Sequence, residues 1–329
     1  MKKLCFVGGG MIGTALGNRL ASGNGYHVKL VTIEPDVAES INQRHVNQKY
    51  FPNQKLSRDL RATTEHRSLR DADIIFLAIP STVIVDFINK QKDNLPPGKM
   101  IINLAKGFGK EDRTITGCLE EIIPNPVCSL KGPTFARELL NNAPTAFTFA
   151  SGNKSLFPQM AELFNDKRIY LDFTTDVTGT EILSILKNIY AIVLGIVDAH
   201  FNSANLRFLV LTRAFAEMRH TLQLMGGKEK TLYRYCGYGD FGLTALNDLS
   251  RNRTLGLLIG KGFFIEDISD KVVLEGKIAV NRFIKILDKL GKSEDEFPII
   301  YELYHVFNSN YKVSNFVDKL LRKISSGIN

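Results

Sequence analysis

The chain has 329 residues, of which 44% are hydrophobic, and a formal net charge of +8. This length and apolar content are enough for one large or two ordinary hydrophobic cores. The positive charge is spread along the chain, without the dense basic runs and interleaved aromatic residues that indicate nucleic-acid binding. We therefore expect no nucleic-acid partner and favour a small anionic substrate.

Four cysteines are scattered without a CxxC pair or the spacing of metal ligands: Cys5, Cys118, Cys128 and Cys236. This pattern is typical of reduced core thiols, and it predicts no metal site. The longest strictly apolar run, residues 189–197, is too short to span a bilayer. The start of the chain superficially resembles a signal peptide, but its triple glycine fits a strand and a phosphate-binding turn better. We predict a soluble, cytoplasmic protein without a membrane span.

Strand and helix patterns alternate in the first half of the chain. The predicted strands are LCFV (4–7), HVKLV (27–31), DIIFLAIP (73–80), MIINL (100–104), VCSL (127–130), TAFTFA (145–150) and RIYLDF (168–173). Helical patterns fill most of the gaps, for instance 11–21, 82–91, 112–122 and 153–165. Continuous apolar runs such as 73–80 are expected for parallel strands that are buried on both faces. The alternation predicts an α/β fold with a doubly wound parallel sheet.

After about residue 175 the alternation stops, and only helical spacing remains. The helical segments are 178–198, 204–225, 254–261, 272–290 and 296–307. A strand-rich half followed by a helical half predicts two domains, 1–175 and 176–329, the second all-helical. The boundary lies near TTDVTG (174–179), where Asp176 or Thr178 is expected to cap the first long helix.

The motif GGGMIG places Gly8, Gly10 and Gly13 as GxGxxG between a predicted strand and a predicted helix. Gly8 permits a tight turn, Gly10 lets the backbone approach a pyrophosphate, and Gly13 allows close packing of helix and strand. The free amides at the helix N-terminus favour phosphate groups. At this place in an α/β chain, the motif predicts a dinucleotide site in a Rossmann-type domain.

The second strand ends at VTIEPD, and Glu34 lies 21 residues beyond Gly13. This is close to the position at which an acidic side chain accepts the hydroxyls of the adenosine ribose. No arginine or lysine follows immediately to hold a 2′-phosphate, so we favour NAD over NADP. The alternative is that Glu34 only lies near the N-terminus of the next helix, where an acid suits the helix dipole.

A lysine stands in the most apolar helical segment of the chain. Lys187 and Asn188 lie side by side in EILSILKNIYAIVLGIVD (181–198). Desolvating an ammonium group is costly, so a buried lysine needs a partner or a function. Lys187 either lies at the helix edge and extends to solvent, or serves a site.

Other polar stretches also suggest a site. Lys106 lies in NLAKGFGKE after a strand, and Thr134 lies in the Gly-Pro turn of KGPTFARE. Asp240 lies in the glycine-rich stretch GYGDFGLT, with Thr244 four residues on. The sequence SRNR (250–253) opens a helix with an arginine and an amide, a combination suited to a phosphate dianion. Each of these also has a purely structural interpretation as a loop charge, a turn residue or a capped helix.

Taken together, these motifs resemble the soluble, bacterial kind of NAD(P)-dependent glycerol-3-phosphate dehydrogenase. The similarity runs from GGGMIGTAL through AIPS, AKG, GPTFARE, LKN, TRAFAEM, GYGD, SRNRTLG and VLEG. The resemblance implies an N-terminal Rossmann domain and an all-helical C-terminal domain. It also implies interconversion of dihydroxyacetone phosphate and sn-glycerol 3-phosphate, a reaction of carbohydrate metabolism and phospholipid biosynthesis. The sequence does not define an oligomeric state, and a homodimer is compatible with it.

The resemblance also assigns individual residues. The implied catalytic residues are Lys187, with Lys106 and Asp240. The implied substrate contacts are Lys106, Gly132, Thr134, Lys187, Asp240, Thr244, Ser250, Arg251 and Asn252. The implied cofactor contacts are Gly8, Gly10, Met11, Ile12, Gly13, Glu34, Lys106, Ala136, Arg251, Val273 and Glu275. In such a site a lysine ammonium stabilises the developing alkoxide and donates a proton to it.

The chain departs from the family pattern at three places. The family usually has a small residue and an aromatic at Met11 and Ile12, serine at Lys131, and Gly-Ala-x at 184–186. These departures leave two alternatives open: a reductase of a related phosphorylated ketone, and an NAD(H)-binding sensor without turnover. The 3-hydroxyacid dehydrogenases share the two-domain plan, but they usually have asparagine four residues after the lysine. Here that residue is Ala191, which argues against them.

Overall fold

The structure is a computed structural model that describes residues 1–23, 25–263, 270–309 and 311–326. It divides into two compact units, Met1–Glu181 and Ile182–Asn329. This division lies six residues beyond the predicted boundary after residue 175, inside the first long helix of the C-terminal half.

The N-terminal unit is built on one sheet of eight strands in the order β3-β2-β1-β4-β5-β6-β7-β8. The strands are β1 (Lys2–Val7), β2 (Tyr26–Val31), β3 (Leu60–Thr63), β4 (Ile74–Leu77), β5 (Met100–Asn103), β6 (Val127–Lys131), β7 (Thr145–Ala150) and β8 (Ile169–Thr174). Strands β1 to β6 are parallel, and their order is that of dinucleotide-binding folds. The predicted Rossmann-type sheet is therefore confirmed.

The prediction of a wholly parallel sheet was wrong at its β8 edge. Strand β7 pairs antiparallel with β6 and parallel with β8, so the last two strands run against the first six. The only helix between β6 and β7 is Ala136–Leu140, which spans about 7 Å at a rise of 1.5 Å per residue. Such a short helix is unusual in a parallel crossover, and the chain instead returns antiparallel beside β6.

Helices cover both faces of this sheet. They are α1 (Met11–Ala21), α2 (Pro35–Arg44), α3 (Ser81–Gln91), α4 (Ile115–Glu120), α5 (Ala136–Leu140) and α6 (Phe157–Phe164). One core contains Leu4 and Phe6 from β1 and side chains from α1, α2, α5 and α6. The other contains Cys5 and Val7 from the opposite face of β1, with side chains from α3 and α4. The strand residues alternate between two dry faces, which explains their continuous apolar runs.

The C-terminal unit is helical, as predicted, and residues 182–263, 270–309 and 311–326 contain no strand. Its helices are α7 (Val177–His200), whose first turn belongs to the N-terminal unit, α8 (Ala204–Leu224), α9 (Glu229–Leu232), α10 (Asp240–Leu246), α11 (Arg251–Gly260), α12 (Asp270–Lys289), α13 (Pro298–Asn308) and α14 (Phe316–Ser326). The Asp176 carboxylate accepts a hydrogen bond from the Gly179 N–H at 2.9 Å, which confirms Asp176 as the cap of α7.

Helix α7 is the core of this unit. Two glycines bring it close to α11: a Cβ on Gly195 would lie 2.2 Å from the Arg253 carbonyl oxygen, and one on Gly256 would lie 2.0 Å from that of Ile192. Any larger residue would push the two helices apart. By length and composition alone α7 could cross a membrane, but 83% of its apolar window is buried within the protein. A buried core helix accounts for this composition, so α7 is weak support for a membrane span.

Candidate active site

The three glycines of the GGGMIG motif form the turn from β1 into α1. Gly8 has a φ of 117°, and a Cβ there would lie 2.5 Å from the Ala78 carbonyl oxygen. A Cβ on Gly13 would lie 2.2 Å from the Gly8 carbonyl oxygen. Gly8 therefore permits the turn and Gly13 the close packing of helix and strand, as predicted.

Gly10 has a different environment, because a Cβ on it would have no atom within 4 Å. It is the N-cap residue of α1, and no side chain caps this helix end. Met11 follows at the first position of the helix and is 39% exposed, while Ile12 is partly buried against the core. The N-terminus of α1 thus begins beside open space and without a side-chain cap, an arrangement that fits a pyrophosphate.

Glu34 lies at the end of β2 and is the N-cap residue of α2, but its side chain does not cap the helix. Its carboxylate instead forms an ion pair with Lys49 and accepts a hydrogen bond from the Tyr50 hydroxyl at 3.1 Å. Sequence reasoning missed both partners, because they lie 15 and 16 residues downstream rather than directly after Glu34.

Three predicted substrate contacts lie at the ends of β5 and β6. The Lys106 Nζ donates to the Gly132 carbonyl oxygen at 3.4 Å. Gly132 itself packs closely on β7, since a Cβ there would lie 2.4 Å from the Ala146 carbonyl oxygen. The Thr134 hydroxyl is buried without a hydrogen-bond partner, which is unusual for a polar group and suits a ligand contact. Ala136 begins α5 and packs against the core.

A buried polar network holds the two segments that carry these residues. The Glu181 carboxylate accepts hydrogen bonds from the Asn103 side chain at 2.5 Å and from the Thr116 N–H at 3.1 Å. The fully buried Lys131 ammonium donates to the Asn103 carbonyl oxygen at 2.7 Å and lies 3.9 Å from Glu181. Asn103 in turn accepts from the Ala105 N–H at 2.9 Å, next to Lys106. The lysine that departs from the family pattern therefore links β5, β6 and the start of α7.

Lys187 is buried in the C-terminal unit and has two polar partners. Its Nζ lies 2.5 Å from the Asp240 Oδ1 and 2.7 Å from the Thr244 hydroxyl. The side chains of Lys187 and Asp240 are only 5% and 1% exposed. The interpretation in which Lys187 extends to solvent at the helix edge is therefore wrong.

The glycine-rich stretch before Asp240 explains how this carboxylate is positioned. Residues Tyr235–Gly239 form a single π-helical turn that leads directly into α10. Gly237 is required in it, because a Cβ would lie 2.1 Å from the Leu232 carbonyl oxygen. Asp240 then occupies the first position of α10, and Thr244 follows one turn later on the same face.

The SRNR segment begins α11, and its residues have different environments. The Ser250 hydroxyl caps the helix by accepting from the Arg253 N–H at 3.3 Å. Arg253 is buried and forms ion pairs with Asp198 and, at 3.1 Å, with Asp248. Arg251 is exposed and Asn252 is partly buried, so these two side chains remain accessible at the helix start. Helix α12 carries the two remaining predicted cofactor contacts, Val273 (buried) and Glu275 (exposed).

The structure thus brings together Lys187, Asp240 and Thr244 in one unit, and Lys106 with Gly132 in the other. A Rossmann-type sheet with an open glycine turn, followed by a helical unit with a buried lysine–carboxylate pair, defines the class of nicotinamide-dependent dehydrogenases.

Comparisons with known proteins identify the family. Residues 3–157 match the family model for the N-terminus of NAD-dependent glycerol-3-phosphate dehydrogenase, and residues 176–318 match that for its C-terminus. The chain belongs to this family. A relative from Leptospira biflexa, glycerol-3-phosphate dehydrogenase [NAD(P)+], is 32% identical over 329 residues, with 98% of both chains covered.

Two further relatives support the assignment. The chloroplastic glycerol-3-phosphate dehydrogenase [NAD(+)] 2 of Arabidopsis thaliana is 36% identical over 299 residues, covering 88% of this chain and 70% of its own. The crystal structure of glycerol-3-phosphate dehydrogenase from Coxiella burnetii has a TM-score of 0.88 at 27% identity, covering 97% of this chain and 98% of its own.

Proposed function

We propose that the protein interconverts dihydroxyacetone phosphate and sn-glycerol 3-phosphate, with NAD or NADP as the hydride carrier. The observation that carries this proposal is the buried Lys187–Asp240–Thr244 cluster in a chain of this family. When bound, the nicotinamide cofactor supplies or takes up the hydride at the substrate carbon. The remaining task of the protein is to bind the substrate, to stabilise the oxyanion and to move one proton.

Lys187 performs the proton transfer in this proposal. In ketone reduction, its ammonium donates a hydrogen bond to the substrate carbonyl oxygen and then gives this oxygen a proton as the alkoxide forms. In the reverse direction, the neutral amine accepts the proton of the hydroxyl. Asp240 and Thr244 accept two of the three N–H donors of the ammonium. They fix the lysine in one orientation.

The remaining predicted contacts bind the substrate and the cofactor. Arg251 and Asn252 hold the phosphate, because an arginine fork matches a phosphate dianion and both side chains are accessible at the start of α11. Lys106 adds positive charge, and the Thr134 hydroxyl, which lacks a protein partner, donates to a substrate oxygen. Gly8, Gly10 and Gly13 hold the pyrophosphate of the dinucleotide, and Glu34 accepts the hydroxyls of its adenosine ribose.

A related phosphorylated ketone is the second candidate substrate. Lys131 suggests it, because this residue replaces the serine that is usual in the family. Lys131 also belongs to the buried network through Asn103 that holds the segments of Lys106 and Gly132. An NAD(H)-binding sensor without turnover is a third candidate, suggested by Met11 and Ile12 in the glycine turn. The buried lysine–carboxylate pair favours an enzyme over a sensor, since such a pair is costly to keep without a function.

Location and assembly are also proposals. All four cysteines are buried thiols, and burial raises the pKa of Cys5 and Cys128 to about 12. Thiols of this kind persist in a reducing compartment, so we place the protein in the cytoplasm, where it supplies glycerol 3-phosphate for phospholipid synthesis. A homodimer is the assembly that we expect. Size-exclusion chromatography with light scattering tests it, and a monomeric mass at micromolar concentration would rule it out.

One spectrophotometric panel tests the proposed reaction. The oxidation of NADH and of NADPH is followed separately with dihydroxyacetone phosphate, its unphosphorylated counterpart and several other phosphorylated ketones. We expect the highest kcat/KM with dihydroxyacetone phosphate. A higher value with another phosphorylated ketone would favour the second candidate. Binding of NADH without oxidation by any ketone would favour the sensor.

A further inference from the structure

A segment after α2 is tied to the glycine turn. The fully buried Asn47 side chain donates to the Gly9 carbonyl oxygen and to the Thr14 hydroxyl, both at 2.8 Å. The Tyr50 N–H in turn donates to the Asn47 side-chain oxygen at 3.3 Å. Asn47 therefore fixes the backbone of residues 47–50 against the turn that is proposed to hold the pyrophosphate.

This anchored segment carries Lys49 and Tyr50 to Glu34. The Lys49 ammonium pairs with one carboxylate oxygen of Glu34, and the Tyr50 hydroxyl donates to the other at 3.1 Å. The hydrogen bond to Glu34 raises the pKa of Lys49, as expected for an ammonium beside a carboxylate. The Lys49 side chain is 59% exposed and that of Glu34 is 25% exposed, so the lysine can leave the carboxylate at little cost.

The charges at this position have opposite effects on the two cofactors. The Glu34 carboxylate accepts ribose hydroxyls and repels a 2′-phosphate, so alone it would select NADH strongly. A lysine beside it offsets that repulsion and offers three N–H donors to a phosphate. Because the Lys49 side chain is 59% exposed, it can pair with Glu34 or with a phosphate at the same place.

We propose that Lys49 is the residue that lets this protein accept a 2′-phosphorylated cofactor, with Glu34 as its resting partner. This inference rests on the proposed dinucleotide site. Lys49 pairs with Glu34 when the ribose is unphosphorylated and with the phosphate when it is present. Two predictions follow for binding. Removal of Lys49 weakens only the phosphorylated ligand. Removal of the Glu34 charge strengthens that ligand, because the repulsion of its 2′-phosphate is lost.

Calorimetric titration of the full chain with two cofactor fragments, ADP-ribose and 2′-phospho-ADP-ribose, tests this without turnover. The variants are Lys49→Ala, Glu34→Ser and the double variant. The control is Lys55→Ala, which removes another exposed lysine of the same region, whose Nζ donates to the Arg44 carbonyl oxygen at 3.2 Å. We expect Lys49→Ala to weaken 2′-phospho-ADP-ribose about tenfold, the effect of one exposed charge-assisted hydrogen bond.

ADP-ribose affinity should change less than about twofold in Lys49→Ala, and neither fragment should respond to Lys55→Ala. Glu34→Ser should tighten 2′-phospho-ADP-ribose, and the double variant should bind it about tenfold more weakly than Glu34→Ser alone, because Lys49 is missing. Equal effects of Lys49→Ala and Lys55→Ala would overturn the inference and leave the dinucleotide site standing. If neither fragment binds the wild-type chain, the proposed dinucleotide site itself fails, and the inference fails with it.

Discussion

The pair formed by Lys187 and Asp240 allows a quantitative test, the substitution Asp240→Asn. The two charges lie 2.5 Å apart with side chains 5% and 1% exposed, so water screens them little. Removing one partner of such a buried pair costs about 3–5 kcal/mol, because the other charge stays buried without compensation. Asparagine keeps the shape and one acceptor oxygen. We therefore expect a loss of about 3 kcal/mol in the free energy of unfolding, measured by urea denaturation.

The same substitution should change the pH dependence of the reaction. A neighbouring anion favours the charged form of lysine, and ketone reduction needs that form as the proton donor. In Asp240→Asn, the pH above which reduction falls should therefore move to lower values. The assay is kcat for dihydroxyacetone phosphate reduction over a range of pH at saturating NADH.

Asp248→Asn is the matched control, because Asp248 also pairs with a cation of the C-terminal unit but is 86% exposed. We expect it to change the free energy of unfolding by no more than about 1 kcal/mol and to leave the pH profile in place. If the two variants have equal stabilities and identical pH profiles, Asp240 does not hold a buried ammonium and the proposed orientation of Lys187 is wrong.

Two further predictions concern the phosphate and a buried acid. Arg251→Lys should raise the KM for dihydroxyacetone phosphate far more than that for dihydroxyacetone, because lysine lacks the planar guanidinium that binds a phosphate with two hydrogen bonds. Equal effects on the two KM values, with NADH affinity unchanged, would show that Arg251 does not bind the phosphate. Burial raises the pKa of Glu217 from 4.5 to about 8, so the folded state binds this proton more tightly than the unfolded state does. The free energy of unfolding should therefore fall as the pH rises from about 5 to 8. Measured as Tm against pH, this decline should be smaller in Glu217→Gln, whose amide oxygen can still accept from the Ile299 N–H. An equal decline in the variant and the wild type would show that Glu217 does not cause it.

Much of the fold follows from local pattern. Strands β1, β4 and β5 were predictable, because strands that are buried on both faces have continuous apolar sequences. The turn between β1 and α1 was predictable from its glycines. Strand β3, with the sequence LRAT, was missed because it is short and partly polar. The antiparallel direction of β7 was also missed, since the sequence of a strand does not indicate its direction relative to its neighbour in the sheet.

The candidate site was also only partly predictable, because motifs indicate individual residues but not the tertiary contacts between them. Lys187, Asp240 and Thr244 were identified from motifs, and the structure joins them. Lys49 was missed because its proximity to Glu34 depends on the bond from Asn47 to the glycine turn, a tertiary contact that spacing does not indicate. The SRNR motif also did not reveal that its second arginine, Arg253, is a buried structural residue rather than a surface one.

Lys187 is proposed as the proton donor, and the turnover of Lys187→Ala, measured beside that of Lys323→Ala, tests this role. Lys323 also pairs with a buried carboxylate of the C-terminal unit, that of Glu302, at 2.5 Å, so its removal controls for lost stability. We predict that Lys187→Ala retains NADH binding and its fold but loses kcat by about 10²–10⁴, the usual contribution of an acid–base group. Lys323→Ala should be destabilised yet retain near-normal kcat. Near-normal turnover in folded Lys187→Ala would contradict the claim.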